Sequence, residues 1–232
     1  MGLFEPLFRS LNETGVRYVV VGGVATVLHG HARLTADVDL IVDLEPSRAR
    51  RLVAKLSELG FVPRAPVDSL DFADPSIRQR WIDEKGMQVF SMIDRSNPMR
   101  VVDLFVNHPI DFETLWARAR IIDLETTTVR IASIPDLIRL KRLAGRPQDV
   151  EDIDGWNASR EGTPMSRHQG PREGIWPVTW EASHAAMLDS VASATPAQRL
   201  AWLEEAIRLA YRSGALPIDV PEAGSQEPGA RR

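Results

Sequence analysis

Cysteine is absent from this chain of 232 residues. A disulfide framework, a thiolate zinc site and a cysteine nucleophile are thereby excluded. Long hydrophobic runs are missing too, and nothing approaches the ~20 consecutive apolar residues of a membrane span. The opening stretch MGLFEPLFRSLNETG places Glu5 and Arg9 inside its apolar run, so it does not read as a secretory signal. A cytoplasmic location, with no membrane partner, is the expectation. Neither sign of charge dominates: 28 basic against 32 acidic residues leave a net charge of −4. General affinity for nucleic acid is not implied, although a local basic patch stays open. No internal repeat is visible. What remains is ordinary globular composition, 44% hydrophobic and 26% charged, at a length suited to one large domain or a domain with an appendage.

Periodicity orders the chain. Leu3, Phe4, Leu7, Phe8 and Leu11 recur at helical spacing and predict a helix that stops near Gly15. Arg17 to Val21 is a β-branched run and reads as a strand, ended by Gly22-Gly23. A helix over Val24 to His29 follows, then a strand over Asp37 to Val42 and a helix over Ser47 to Leu59. Residues 62–80 are dotted with proline and read as irregular, with a weak helical signal near Ile77. Strands are expected at Met87 to Ile93, Arg100 to Val106 and Val129 to Ala132, and helices at Phe112 to Arg118, Pro135 to Leu143 and Pro147 to Trp156. From 157 to 178 Gly, Pro and polar residues suggest a linker or long loop. Two helices follow within 179–216, the second opened by Thr195, Pro196 and Gln198 as a capping box. The stretch 217–232 reads as a disordered tail.

The chemistry concentrates between Tyr18 and Asp43. A strand running into Gly22-Gly23 at a helix start lets backbone amides approach an anion, a phosphate cradle. The same pattern also serves as a plain tight connection. Asp37 and Asp39 lie two apart on a strand and therefore share a face. Such close like charges need compensation, and a hard divalent ion supplies it. A solvent-facing acidic strand edge is the alternative. Asp103 stands in the apolar strand Val101-Val102-Asp103-Leu104-Phe105 and is costly to bury unpaired. Its partner is either that ion or an arginine, Arg33 or Arg100. Arg48, Arg50, Arg51 and Lys55 form a basic helix face, either solvated or in contact with an RNA backbone. His29 and His31 read as loop or helix-end residues rather than ligands of a hard metal.

Gly22-Gly23, Asp37-x-Asp39 and Asp103 together resemble the signature of the nucleotidyltransferase superfamily typified by DNA polymerase β. The resemblance implies an α+β fold, a mixed β-sheet flanked by helices, here with a C-terminal helical appendage. It implies transfer of a nucleoside monophosphate from an NTP to a hydroxyl, with Mg²⁺ or Mn²⁺ held by Asp37, Asp39 and Asp103. Asp103 would also help deprotonate the acceptor, and Gly22-Gly23 would hold the triphosphate. Within the superfamily, the string Arg33-Leu34-Thr35-Ala36-Asp37-Val38-Asp39, the helix Pro135 to Lys141 and the run Gly145 to Ile153 look like AbiEii-type toxins of toxin–antitoxin systems. That likeness implies Arg33, Thr35 and Lys141 as nucleotide contacts, with Asp149 and Asp152 facing the site. The acceptor stays open between tRNA, a protein and a small molecule, with a cognate antitoxin as a further partner. A non-enzymatic role as an antitoxin or regulator is a third reading, which three carboxylates in one site disfavour. The expected division is a nucleotidyltransferase domain over 1–156, a linker over 157–178, a helical appendage over 179–216 and the tail over 217–232. Lys141 is expected to be an unpaired cation whose removal leaves the nucleotide-free protein as stable as before, or more so.

Overall fold

A computed structural model describes residues 2–145, Asp149, Ile153, Trp156, Ser190, Val191 and residues 193–216. The expected linker 157–178 and tail 217–232 lie outside these residues, as do most of 147–156 and of the first appendage helix.

β1 (Tyr18–Val21) is buried along its whole length, as befits a β-branched run covered on both faces. It pairs antiparallel with β2 (Asp37–Val42) on one side and parallel with β7 (Thr128–Ile131) on the other. β2 runs parallel to β5 (Val101–Phe105), which continues antiparallel into β4 (Val89–Asp94) and β3 (Phe61–Pro63). β6 (Arg120–Asp123) closes the far edge against β7. The result is one mixed seven-stranded sheet in the order β3-β4-β5-β2-β1-β7-β6. The fold is thus the expected α+β arrangement.

Helices flank this sheet. α1 (Glu5–Glu13) buries Leu7, Phe8 and Leu11. Leu3, Phe4 and Leu7 line a small cavity with Val38 and Val102 there, and each large apolar side chain buried in this way contributes roughly 1.5–3 kcal/mol. α2 (Gly22–Leu28) begins directly where β1 ends, earlier than the expected Val24. α3 (Pro46–Glu58) is capped by the Glu45 carboxylate, which accepts from the Ser47 and Arg48 amides. α5 (Phe112–Arg118) and α6 (Ile134–Ala144) fall where periodicity predicts them.

Two regions differ from the sequence reading. Residues 62–80 are ordered: a 3₁₀ turn (Ser69–Ala73) leads into α4 (Pro75–Lys85). Periodicity misses α4 because an arginine occupies one of its two buried positions. Arg78 donates to the carbonyls of Phe72 and Leu44 at 2.5 and 3.3 Å while Trp81 supplies the apolar contact. β6 escapes notice because it is an edge strand without a single buried residue.

α7 (Pro196–Arg212) opens on the expected capping box of Thr195 and Gln198. It is tied to distant parts of the chain: the Phe4 amide donates to Glu204 Oε1 at 3.1 Å, and Arg199 donates to the Leu28 carbonyl at 3.0 Å. α7 should therefore unfold together with the sheet. Thr195→Ala is expected to cost about 0.5–2 kcal/mol. In urea titrations followed by far-UV circular dichroism and by tryptophan fluorescence, both midpoints should fall together. A loss seen by circular dichroism alone would mean that α7 melts on its own.

Candidate active site

Strand register places the acidic residues. Val21 lies opposite Asp39, Asp39 opposite Asp103, and Asp103 opposite Ser91. The row continues to the next strand, where the Arg64 amide donates to the Ser91 carbonyl at 2.9 Å. Laterally aligned residues share a face of a sheet, so Asp39, Asp103, Ser91 and Arg64 leave the same side. Asp37 joins them by its two-residue offset. Val38 and Leu40 are buried on the other side, as expected.

A cleft of about 790 Å³ opens on the carboxylate side. Asp37, Asp39 and Asp103 line it, as do Gly22, Gly23, Arg33, Thr35 and Lys141. The sheet, α2, the segment after it and α6 thus bring every predicted site residue to one cavity. Both glycines are required by what stands against them. Gly22 has φ +62°, and a Cβ there would lie 1.9 Å from Asp39 Oδ2. A Cβ on Gly23 would lie 2.5 Å from the Thr35 side chain.

Burial pushes the Asp103 carboxyl above its ordinary pKa, while the Ser91 hydroxyl and Arg64 pull it down. Its Oδ1 is buried and accepts no hydrogen bond. Arg100, one candidate partner from the sequence, is engaged by Asp94 at 2.7 Å. Asp37, the most open of the three, is raised by the protein crowded around it and then by repulsion from Asp103, with Arg64 opposing. Among the described residues, no three His, Cys, Asp or Glu side chains already form a metal-binding cluster. The donors nonetheless suit a hard divalent ion: carboxylate oxygens, one of them orphaned, with charge that is short of compensation.

Lys141 departs from expectation. It is buried, and its Nζ lies 3.3 Å from Asp149 Oδ1 and 5.4 Å from the centre of the Trp156 ring. His31 packs edge-on against the same tryptophan at 5.6 Å. Lys141 is therefore an ion-paired residue lining the cleft, not an unpaired cation. Asp136, on the same helix, pairs with Arg118 at 2.5 Å. Asp149 faces the site as the sequence suggested, and Asp152 lies outside the described residues. His29 Nε2 donates to the Ala132 carbonyl at 2.8 Å, a structural role. On the basic face of α3, Arg48 is bonded to Asp43, and Lys55 to Glu58 at 3.1 Å.

Sequence reasoning missed Arg64 and Ser91, of which Arg64 lines the cleft and Ser91 hydrogen-bonds to Asp103, and it missed Tyr211 as a cleft residue. The first two owe their place to strand register, which has no local signature. Tyr211 comes from α7, and its hydroxyl donates to the Pro98 carbonyl at 3.1 Å. Burial and then Asp37 push its pKa up, and Arg64 pulls it down.

The family described as nucleotidyltransferase of unknown function (DUF6036) matches residues 4–159. The chain belongs to this family. It is thus an enzyme that transfers nucleotidyl groups, and the non-enzymatic reading falls away. The match supports the superfamily seen in the motifs and does not reach the AbiEii-type branch. No curated protein matches the chain. The solution structure of the antibiotic-resistance factor ANT(2'')-Ia is 15% identical with a TM-score of 0.38, covering 92% of this chain and 93% of that one. A crystal structure of ANT(2'')-Ia with adenylyl-2''-tobramycin is 14% identical with a TM-score of 0.37, covering 88% and 94%. Likenesses so distant say nothing of this chain's acceptor. Among the described residues, no helix is long and apolar enough to cross a membrane.

Two outcomes follow from the charges. Lys141→Ala removes the ammonium from the buried Asp149 carboxylate and should cost about 3–5 kcal/mol in chemical denaturation. Replacing the pair together, Lys141→Met with Asp149→Leu, should recover most of that loss. Asp103 has a folded pKa above its unfolded one, so its contribution to stability is present at low pH and is lost as pH rises through the folded value. Asp103→Asn should accordingly raise the melting temperature of metal-free protein at neutral pH. The gain should shrink as pH falls toward the ordinary carboxyl value of 3.8.

Proposed function

We propose that this nucleotidyltransferase moves a nucleoside monophosphate from an NTP to a hydroxyl acceptor in a reaction that depends on Mg²⁺ or Mn²⁺. The observation that carries the reading is the registered pair Asp39 and Asp103, with Asp37 beside it and Gly22 packed against Asp39. Asp37, Asp39 and Asp103 would hold the ion. When bound, it would neutralise phosphate charge and favour ionisation of the acceptor hydroxyl.

The chain's own groups take the remaining roles. Without side chains at Gly22 and Gly23, phosphate oxygens can reach the main-chain amides between β1 and α2. Arg33 and Thr35 flank that approach. Lys141 offers an ammonium to the triphosphate, and Asp149 and Trp156 hold it in place. A fixed charge of this kind stabilises a leaving pyrophosphate without reorganising. Asp103, whose carboxyl holds a proton more readily than usual, is suited to accept one from the acceptor.

The finer reading is a toxin of the AbiEii type acting in the cytoplasm on tRNA or on a protein, countered by a cognate antitoxin. It rests on the strings around Arg33 to Asp39 and Pro135 to Ile153. The division into 1–156, 157–178, 179–216 and 217–232 belongs to the same proposal.

Mg²⁺ with NTP should raise the melting temperature, since a ligand selective for the native state stabilises it by mass action. Asp39→Asn should abolish most of the metal-dependent part. Equal shifts in wild type and variant would remove Asp39 from the site. Incubation of each radiolabelled NTP with total RNA, and separately with lysate protein, then reads the acceptor class directly. No label transferred to either, together with no thermal shift, would sink the proposed reaction.

A further inference from the structure

A second cavity, of about 150 Å³, lies where β1 begins, lined by Val16, Tyr18, Trp116, Ile121, Thr128 and Arg130 together with Asn12 of α1. β1 runs from Tyr18 to the glycine junction of the cleft, about 13 Å away at the rise of a strand. Among the described residues the two cavities share no lining side chain. Register builds the second one. Ile121 stands opposite Arg130 across β6 and β7, and Thr128 precedes Arg130 by two residues, so all three leave one side of the sheet. The Tyr18 hydroxyl donates to Asn12 Oδ1 at 2.9 Å, and the Asn12 amide donates to Thr127 Oγ1 and the Thr128 carbonyl at 3.0 and 2.8 Å. These polar ends are spent on holding α1 against β7.

Two guanidiniums lie over the Trp116 ring, Arg130 at 3.9 Å and Arg17 at 5.6 Å from its centre. Their partners differ. Arg17 is neutralised, donating to Glu113 at 2.6 Å and to Asp43 at 2.9 Å. Arg130 makes one long bond, from Nη1 to the Trp116 carbonyl at 3.4 Å, and enters no ion pair among the described residues. Contact with the ring fixes the position of this guanidinium without using its donors. Those donors form a planar fork that matches the two oxygens of a carboxylate. One guanidinium balances a single negative charge, which favours a carboxylate over a phosphate. Val16 and Ile121 give the cavity apolar walls. Ile121 stands 58% exposed at its rim. A volume of roughly 150 Å³ is enough to hold one benzene ring.

We propose that this cavity is a binding site for a small monocarboxylate whose apolar body is about the size of one ring. The carboxylate pairs with Arg130, and the body lies against Val16, Trp116 and Ile121. The inference is independent of the proposed nucleotidyl transfer, because it uses none of the residues assigned to that reaction.

The test uses the full chain without nucleotide. The probes are benzoate, acetate as a carboxylate without the ring, and benzyl alcohol as a ring without the charge. Binding is read by calorimetry and by the shift of the Trp116 indole N–H signal in NMR spectra, assigned with Trp116→Phe. Benzoate should move that signal and bind about tenfold more tightly than either other probe. Arg130→Gln should weaken benzoate about tenfold, the loss of one charge-assisted contact. Ile121→Glu changes an exposed position, so it should fold as wild type does, and it should weaken benzoate by setting a like charge at the rim. Failure of benzoate to bind wild type, either other probe binding as tightly as benzoate, or equal benzoate binding by wild type and both variants overturns the site. Benzoate binding that leaves the Trp116 signal in place puts the ligand elsewhere and overturns it as well.

Discussion

Two carboxylates held opposite each other on neighbouring parallel strands are the constraint on which the rest of the cleft depends. Asp39 and Asp103 cannot drift apart, because the β2–β5 ladder fixes their register. The surroundings must therefore tolerate concentrated negative charge. Burial makes that harder, and one oxygen of Asp103 is left without any donor. Relief within the protein comes from Ser91 and Arg64, placed by the same ladder on the next two strands. Gly22 yields the space that the Asp39 side chain occupies. The same ladder that gathers the carboxylates thus also supplies part of their compensation.

The opposite solution appears at Lys141 and Asp149. There the charges are of unlike sign, both side chains are almost wholly buried, and an aromatic ring lies within cation–π distance of the ammonium. A pair of this kind is weak evidence for net stability, since desolvation offsets much of the attraction. Its effect is to hold the ammonium at the wall of the cleft. A cation that lines the cleft is thereby also one that the fold cannot lose cheaply.

Much of this was legible in the residues. The β-branched run before Gly22-Gly23, the two-residue spacing of Asp37 and Asp39, and an aspartate inside an apolar strand each carry a local physical signal. The alternation of Asp39 outward with Val38 and Leu40 inward followed from strand phase alone. Arg64 carried no such signal. It follows a three-residue edge strand, and its position depends on pairing with β4, some 27 residues later, where Ser91 supplies the carbonyl. α4 was hidden because an arginine fills an inward position. Lys141 was placed on the right helix, but its partner lay beyond the helix end at Gly145, where periodicity offers no guidance.

The bond between the Phe4 amide and Glu204 spans 200 positions. On the ribosome, where synthesis proceeds at about 5–20 residues per second, the amide waits roughly 10 to 40 s for its acceptor. The three aspartates emerge well before α7. A nascent chain therefore displays its carboxylates in a cleft that still lacks the wall bearing Tyr211. Completion of the cleft is timed to the late arrival of one helix, and a polypeptide interrupted before that point carries the motif without the finished chamber.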